Sequence, residues 1–121
     1  MEMIHTPIDT TARAADAFAA LGSESRLAIT LTLVRAGPEG LPVGAVQERT
    51  GLAASTLSHH IKLLAAADLL TQERQGRALI CRASFDSLEA LADYLMRECC
   101  QDAEAAPVLD ADAAPRPEAD T

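Results

Sequence analysis

Glycine divides most of this chain into segments that are too short for long helices. Gly22, Gly37 and Gly51 each follow a stretch with helical periodicity, where glycine is typical of a helix end. Gln75-Gly76 instead separates two arms that contain apolar residues, which favours a hairpin, although less strongly than Asn-Gly does. The spacing therefore predicts several short helices joined by turns, with one hairpin late in the order.

The starts of these helices are predicted from residue types that cap helices or open their first turn. Asp9 or Thr10 is expected to cap the first helix, and Ser84 or Asp86 the last. The predicted helices span residues 10–21, 24–36, 42–50, 55–68 and 85–100, and the hairpin spans 69–83. This order is that of a winged helix-turn-helix domain, mainly α with a β-hairpin wing.

The core is expected to be aliphatic, because the 121 residues include no tryptophan, one tyrosine and two phenylalanines. Leu, Ile, Val and Ala favour small helices that pack closely. In the second helix, Leu27, Leu31 and Val34 fall on one apolar face. A chain of this length buries a modest core, so oligomerisation would add to its stability.

The two ends of the chain differ from its middle. We predict an arm at residues 1–8, one domain at 9–100 and a disordered acidic tail at 101–121, where proline, alanine and acids occur without periodicity. No run of about 18 apolar residues predicts a membrane span, and no secretory signal is recognised. We therefore expect a cytoplasmic protein, whose cysteines stay reduced.

The charge is distributed unevenly along the chain. The net charge is −8, of which residues 101–121 contribute −5 through six acids and one base. Residues 41–82 contain five bases and three acids, a balance of +2. A weakly positive surface on an acidic body allows DNA binding with modest non-specific affinity.

The fourth helix has side chains suited to DNA recognition. Leu57, Ile61 and Leu64 share its apolar face. Groups able to reach base edges and phosphates occupy the other positions, namely Ser55, Thr56, Ser58, His59 and Lys62, with His60 at the boundary. Arg74 and Arg77 flank the hairpin tip, where a wing contacts phosphate or the minor groove. A polar face on an isolated helix usually only faces solvent, but the preceding glycine turn and the following basic hairpin favour DNA.

The chain resembles the ArsR/SmtB family of metal- and metalloid-responsive repressors in "ALGSESRLAITLTL" and in "AVQERTGLAASTLSHHIKLLAAADLLTQERQGRALICRA". Ser58 and His60 match the family's Ser-x-His positions, whereas Ala53 replaces a capping Ser, at a cost of roughly 1 kcal/mol. The resemblance, over about residues 18–100, implies a homodimer that binds a double-stranded inverted-repeat operator and is released by an effector. It also implies that the helices at about 10–21 and 85–100 form the dimer interface.

Cys99 and Cys100 stand side by side at the end of the last predicted helix. Cys99 continues an a/d seam formed by Phe85, Leu88, Ala92 and Leu95. Cys100 lies about 100° round the helix, so a fraying last turn would have to bring the sulfurs together. In a reducing compartment an adjacent pair favours ligand binding over simple packing, and thiolates select soft metals and metalloids.

Arsenic is the element that the cysteine pattern indicates by resemblance. A pair at the end of the last helix resembles an arsenic-sensing branch of the family, but the third cysteine of that branch is missing from "QDAEAAP". A wing cysteine with a terminal pair also resembles members that respond to methylarsenite. Cys81 lies on the second wing strand. We therefore predict a site of Cys99 and Cys100, which Cys81 joins from the partner chain across an antiparallel dimer.

The predicted effector is a trivalent arsenical, and no permanent cofactor is expected. Trivalent arsenic makes three bonds, so arsenite can take three thiolates, whereas methylarsenite spends one bond on carbon and needs two. Both species, and antimonite, stay open at this point.

Two other functions stay open from the sequence. A thiol redox switch on the same scaffold would use a disulfide across the dimer, because adjacent cysteines rarely form one within a helix. A protein-interaction module without DNA binding agrees less well with the basic wing and the polar helix face. An enzyme is not expected, because the three histidines have no carboxylate and nucleophile at catalytic spacing and no phosphate loop occurs.

Overall fold

The structure is a computed structural model that describes residues 8–105. Within them the chain forms α1 (Thr11–Leu21), α2 (Glu24–Ala36), β1 (Leu41–Pro42), α3 (Val43–Thr50), α4 (Ala54–Ala66), β2 (Leu70–Gln75), β3 (Ala78–Ala83) and α5 (Phe85–Met96). A 3-10 turn at Asp102–Ala105 follows, inside the predicted tail. This is a mainly helical winged helix-turn-helix domain, so the predicted fold class is confirmed. The rest of the predicted arm and tail, 1–7 and 106–121, lies outside the described residues.

Three helices begin at side chains that accept a hydrogen bond from the first turn. The Thr10 hydroxyl accepts from the Arg13 N–H at 3.2 Å, and the Ser23 hydroxyl accepts from the Arg26 N–H at 3.2 Å. The Ser84 hydroxyl accepts from the N–H of Ser87 at 3.4 Å. Thr10 and Ser84, not Asp9 and Asp86, are therefore the caps, and each satisfies a backbone donor that the helix leaves unpaired.

The wing is a three-stranded antiparallel sheet in the order β1-β3-β2. Residues 76 and 77 form the loop, since Gln75 pairs with Ala78, so the tip lies one residue later than the predicted Gln75-Gly76. Strand β1 was missed because two residues show no periodicity; it is defined by its pairing with Cys81 and Ile80. Cys81 therefore lies on the central strand.

The core is aliphatic, as predicted. Among the described residues, every buried hydrophobic side chain belongs to Ala, Val, Leu, Ile or Cys, and Phe18 remains 41% exposed. The largest fully buried side chains come from α2, α3, α4, the start of the wing and β3: Ile29, Leu33, Val46, Leu57, Leu64, Leu69 and Cys81. No single described helix is long and apolar enough to cross a membrane; α1 and α2 reach that length only as a pair bent by 94°.

Helix α2 packs on a different face from the one its leucine spacing indicates. Leu27 and Leu31 are 43% and 41% exposed, whereas Ile29 and Leu33 are fully buried. Threonines can join the buried face because their hydroxyls donate to carbonyls one turn earlier; that of Thr30 donates to Arg26 at 2.9 Å. Because their hydroxyls are hydrogen-bonded, the threonines can be buried together with Ile29 and Leu33. Leu27 and Leu31 therefore stay on the exposed side of the helix.

Helix α5 ends four residues earlier than predicted, at Met96. The N–H of Cys99 donates to Met96 and that of Gln101 to Glu98, which are three-residue turns that replace the α-helical bonds. Leu95 is 64% exposed and Met96 60% exposed. The predicted a/d seam therefore breaks before Cys99, because the chain tightens at the helix end, where carbonyls lack intrahelical partners.

Gly40, just before β1, lies very close to β3. A Cβ at Gly40, whose φ is +74°, would lie 2.3 Å from the Cys81 carbonyl oxygen, whereas one at Gly51, whose φ is +75°, would meet nothing within 4 Å. Both alanine variants bear the cost of the left-handed conformation, about 1–2 kcal/mol. We expect Gly40→Ala to lower the free energy of unfolding by a further 1–3 kcal/mol or so, the cost of overpacking. Urea denaturation of both variants measures the difference; equal losses would contradict the close approach.

Candidate nucleic-acid interface and thiol site

A tight turn sets the angle between α3 and α4. Gly51 ends α3 in the left-handed conformation, with its N–H bonded to the Gln47 carbonyl at 2.8 Å. Ala53 precedes α4 and offers no side-chain cap. The first N–H groups of α4 are therefore left for water or for an anionic group, and the dipole of the helix favours the anion.

Helix α4 is anchored by one apolar face and presents the opposite face to solvent. Leu57, Ile61 and Leu64 are at most 3% exposed. The predicted reading residues on the other side are exposed: Ser55, Thr56, Ser58, His59 and Lys62. The structure therefore brings five of the six predicted α4 residues onto one accessible surface.

His60, the sixth, lies half-buried between α4 and α2. Its Nδ1 atom is 3.2 Å from a terminal guanidinium nitrogen of Arg26. Desolvation lowers the pKa of His60, and the positive charges of Arg26 and His59 lower it further. The imidazole is therefore held neutral with Nδ1 as acceptor, because the guanidinium can only donate. The predicted boundary position is correct, but the partner Arg26 gave no signal in the sequence.

The wing carries two exposed arginines and one arginine that is internally paired. Arg74 lies on β2 and Arg77 in the loop, both exposed. Arg82 forms an ion pair with Glu73 across the hairpin and donates to the Pro38 carbonyl at 3.2 Å. This pairing lowers the pKa of Glu73, which keeps the carboxylate ionised and bound to Arg82. The wing acid is thus neutralised locally, and Arg74 and Arg77 dominate the charge of the tip.

The sulfurs of Cys99 and Cys100 lie 3.3 Å apart as free, exposed thiols. The turns after α5 make this possible, because Cys100 adopts a φ of +63° that rotates its side chain back toward Cys99. The Cys99 thiol donates a hydrogen bond to the Cys100 sulfur, and this bond and the negative charge of Cys100 raise the pKa of Cys99. The fraying required by the helical prediction is therefore present, and the two sulfurs converge.

Cys81 differs from this exposed pair because it is buried. It has no exposed surface and belongs to the core beneath the wing. Burial raises the pKa of its thiol, and a hydrogen bond with Gln72 acts in the opposite direction. No group of three or more His, Cys, Asp or Glu side chains in residues 8–105 is placed to hold a metal ion. That Cys81 joins a site from a partner chain stays a prediction.

A cavity of about 600 Å³ lies between α1 and the end of α5, and its lining includes Arg97 and Glu98, the two residues before the cysteine pair. Thr11 and Tyr94 both line it, and their hydroxyls lie 2.8 Å apart. The Arg97 guanidinium stacks 4.4 Å from the centre of the Tyr94 ring. Sequence reasoning missed this cavity because it depends on the packing of helices far apart in the chain.

Comparison with known proteins agrees with this geometry. A family model described as a helix-turn-helix domain matches residues 21–73. The HTH-type transcriptional regulator NmtR of Mycobacterium tuberculosis is 38% identical over 76 residues, 61% of each protein. The span matched by the family model contains α2, α3 and α4. The match spans about three-fifths of that regulator's length.

Several solved structures share the fold of this chain. An ArsR-like transcriptional regulator from Rhodococcus sp. RHA1 superposes with a TM-score of 0.68 at 25% identity, over 80% of this chain and 89% of that one. A homodimeric winged helix-turn-helix domain from Mycobacterium bovis superposes with a TM-score of 0.59 at 20% identity, over 88% and 99%. NmtR and the Rhodococcus protein are transcriptional regulators, in agreement with the prediction of a DNA-binding function rather than an enzyme.

Thiol reactivity distinguishes the exposed cysteine pair from Cys81. We expect iodoacetamide to modify Cys99 and Cys100 in the folded protein and to reach Cys81 only on unfolding, because Cys81 is fully buried. The alkylation of Cys99 should need a higher pH than that of an isolated cysteine, since Cys100 raises its pKa. Cys100→Ala should shift the Cys99 profile to lower pH. Peptide mapping by mass spectrometry measures each site, and rapid labelling of Cys81 would contradict the burial.

Proposed function

We propose that this protein is a DNA-binding transcriptional repressor that acts as a homodimer on an inverted-repeat operator. The observation that carries the proposal is the exposed polar face of α4 beside a wing tip with two exposed arginines. In related architectures such a helix enters the major groove, and the wing contacts the backbone or the minor groove. The operator would be in the cytoplasm.

The surface charge suggests how binding is divided between the helix and the wing. The net charge of −8 repels DNA at long range, so neutralisation of phosphates must come from a few positions. Lys62, Arg74 and Arg77 are exposed and supply it, while the uncapped start of α4 offers backbone donors. Ser55, Ser58 and His59 are left to read base edges. Affinity is therefore expected to be modest and strongly sensitive to sequence.

The wing contribution is tested by the salt dependence of operator binding. We expect Arg77→Gln to weaken binding several-fold for all duplexes and to reduce the slope of log affinity against log salt by about 1 per chain, as for one lost phosphate contact. Arg97→Gln is the matched control, because Arg97 stacks on Tyr94 at the end of α5. Fluorescence anisotropy on an inverted-repeat duplex recovered from a random-sequence pool gives both slopes. An unchanged slope for Arg77→Gln would show that the wing makes no phosphate contact through this residue.

The effector is proposed to be a trivalent arsenical that binds the Cys99–Cys100 pair. Methylarsenous acid, CH₃As(OH)₂, would condense with the two thiols to give CH₃As(SR)₂ and two waters, so arsenic exchanges two As–O bonds for two As–S bonds. No oxidant or reductant is needed. Inorganic arsenite would keep one hydroxyl on arsenic unless a third thiolate replaced it. Methylarsenite therefore matches a two-sulfur site more fully.

The number of donors supports a trivalent arsenical over a tetrahedral metal. A structural zinc site takes four ligands, whereas no group of three or more His, Cys, Asp or Glu side chains in residues 8–105 is placed to hold a metal ion. Methylarsenite needs only two sulfurs, and those of Cys99 and Cys100 lie 3.3 Å apart. Because Cys81 is fully buried, its participation would require the wing to open. The proposed site therefore consists of Cys99 and Cys100 without Cys81, and the Cys81→Ser variant tests this choice.

Release from DNA is proposed to follow from a change in population between two dimer geometries. The pair lies beside the cavity between α1 and α5, the helices that the family resemblance assigns to the dimer interface. A bound arsenical would restrain the turns after Met96 and favour the geometry that accommodates the adduct. Its preference for that geometry over the DNA-bound one sets the extent of release.

Serine variants test the site. We expect Cys99→Ser and Cys100→Ser each to raise the methylarsenite concentration for half-release of operator by at least about a hundredfold, because the second sulfur no longer binds as part of a chelate. Cys81→Ser, the matched control, should release like the parent. Operator anisotropy during titration with methylarsenite and arsenite measures this. Unchanged release by both pair variants would refute the site.

A thiol redox switch is the second candidate, because the same two sulfurs are exposed and in contact. Hydrogen peroxide would convert two thiols to a disulfide and two waters, most readily between protomers. Operator release by peroxide, with a covalent dimer on non-reducing gels and no response to arsenicals, would favour this function.

A further inference from the structure

Arg26 connects three helices, although it lies on neither the candidate DNA surface nor the thiol site. Its Nε donates to the Ala20 carbonyl at 2.6 Å, and its terminal nitrogen lies 3.2 Å from His60 Nδ1. Ala20 is in the last turn of α1, where carbonyls lack intrahelical partners and a positive charge is stabilising. One side chain from the start of α2 thus joins the end of α1 to the middle of α4.

We propose that Arg26 is a positioning residue for α4, and that it holds the DNA-reading helix through the imidazole of His60. The inference rests on the proposed DNA-binding function. The α4 anchors Leu57, Ile61 and Leu64 are aliphatic and allow rotation or sliding at small cost, whereas a guanidinium fork fixed at two acceptors is directional. Arg26 therefore sets the orientation in which Ser58, His59 and Lys62 face outward.

Protonation of His60 would break this connection. An imidazolium carries N–H at both ring nitrogens, so Nδ1 would present a proton to the Arg26 donors and two positive charges would meet. The charged or titratable groups near His60 are Arg26 on α2 and His59 on α4, and Asp16 of α1 lines the same cavity as Arg26. Because the folded pKa of His60 is lowered, the contact is complete above the ordinary histidine pKa and is lost as the pH falls through the lowered value.

A double-mutant cycle on operator affinity tests the positioning role. We expect Arg26→Gln and His60→Ala each to weaken binding about five- to tenfold, and the double variant to be no weaker than either, because both remove the same contact. The matched control pairs Arg26→Gln with His59→Ala. The His59 ring is exposed at the position before His60, so the two losses of affinity should multiply. Thermal unfolding of every variant shows that the measured proteins are folded.

The pH dependence separates positioning from simple stabilisation. The coupling between Arg26 and His60 should be present above the His60 pKa measured by NMR and absent below it. Arg26→Gln should raise that pKa in the free protein, since it removes a positive neighbour. His60→Asn, which keeps an acceptor but does not titrate, should bind like the parent and retain its coupling with Arg26 at the lower pH.

Three results would overturn the inference while leaving the proposed function intact. The first is multiplicative loss of affinity in the Arg26→Gln/His60→Ala double variant. The second is a coupling that persists below the His60 pKa. The third is an unchanged His60 pKa in Arg26→Gln, which would show that the contact does not form in solution. If the parent instead bound no duplex from the random-sequence pool, the proposed function and the positioning role would both fall.

Discussion

The burial of one face of α4 is the interaction on which the rest of the structure depends. Leu57, Ile61 and Leu64 reach the aliphatic core, and this fixes which side chains of the same helix face solvent. With 3.6 residues per turn, burial at these positions forces Ser58, His59 and Lys62 outward. Among the described residues the core contains no buried aromatic side chain. Its small aliphatic side chains fill the interior only if the helices pack closely. Directional contacts such as those of Arg26 then add what aliphatic packing does not specify.

The second constraint is the end of α5. A helix that continued to Cys100 would hold the two sulfurs on different sides, about 100° apart. The chain leaves the helix at Met96, and the positive φ of Cys100 brings its sulfur to 3.3 Å from that of Cys99. Loss of helical regularity is thus what creates a two-sulfur site beside the cavity that α1 shares with Arg97 and Glu98. Arg26 binds the Ala20 carbonyl in the last turn of the same α1, so one helix borders both the thiol end and the DNA-reading end of the domain.

Much of the fold was predictable because local chemistry sets it. Thr10, Ser23 and Ser84 cap their helices, and Gly51 makes the turn between α3 and α4. Features that depend on tertiary packing were missed or wrong. The spacing of Leu27 and Leu31 predicted that their face of α2 is buried, but both side chains are exposed. Another face of α2 is buried instead, because the threonine hydroxyls on it donate hydrogen bonds to backbone carbonyls. The contact between Arg26 and His60 joins positions far apart in the chain, and no local pattern encodes it.

The candidate site was predicted in its chemistry but not in its geometry. Residue types alone indicated a soft ligand at Cys99 and Cys100 and polar readers on α4. The full burial of Cys81 follows from its place on the central strand, between β1 and β2, and β1 was not predictable from two residues. The internal pairing of Arg82 with Glu73 likewise depends on the hairpin register. Spacing therefore identifies candidate groups, whereas access to solvent decides which of them can act.

Native mass spectrometry of the protein–operator complex during titration with methylarsenite measures arsenical binding and operator release in one experiment. It reports the adduct and the DNA-bound state of each species together. We expect each chain to gain one CH₃As group with loss of two thiol hydrogens, peptide mapping to assign it to Cys99 and Cys100, and adducted dimers to appear free of DNA. Adducted dimers that stay on the operator in the same proportion as the unmodified protein would refute the proposed release mechanism, and an adduct held through Cys81 would refute the two-sulfur site.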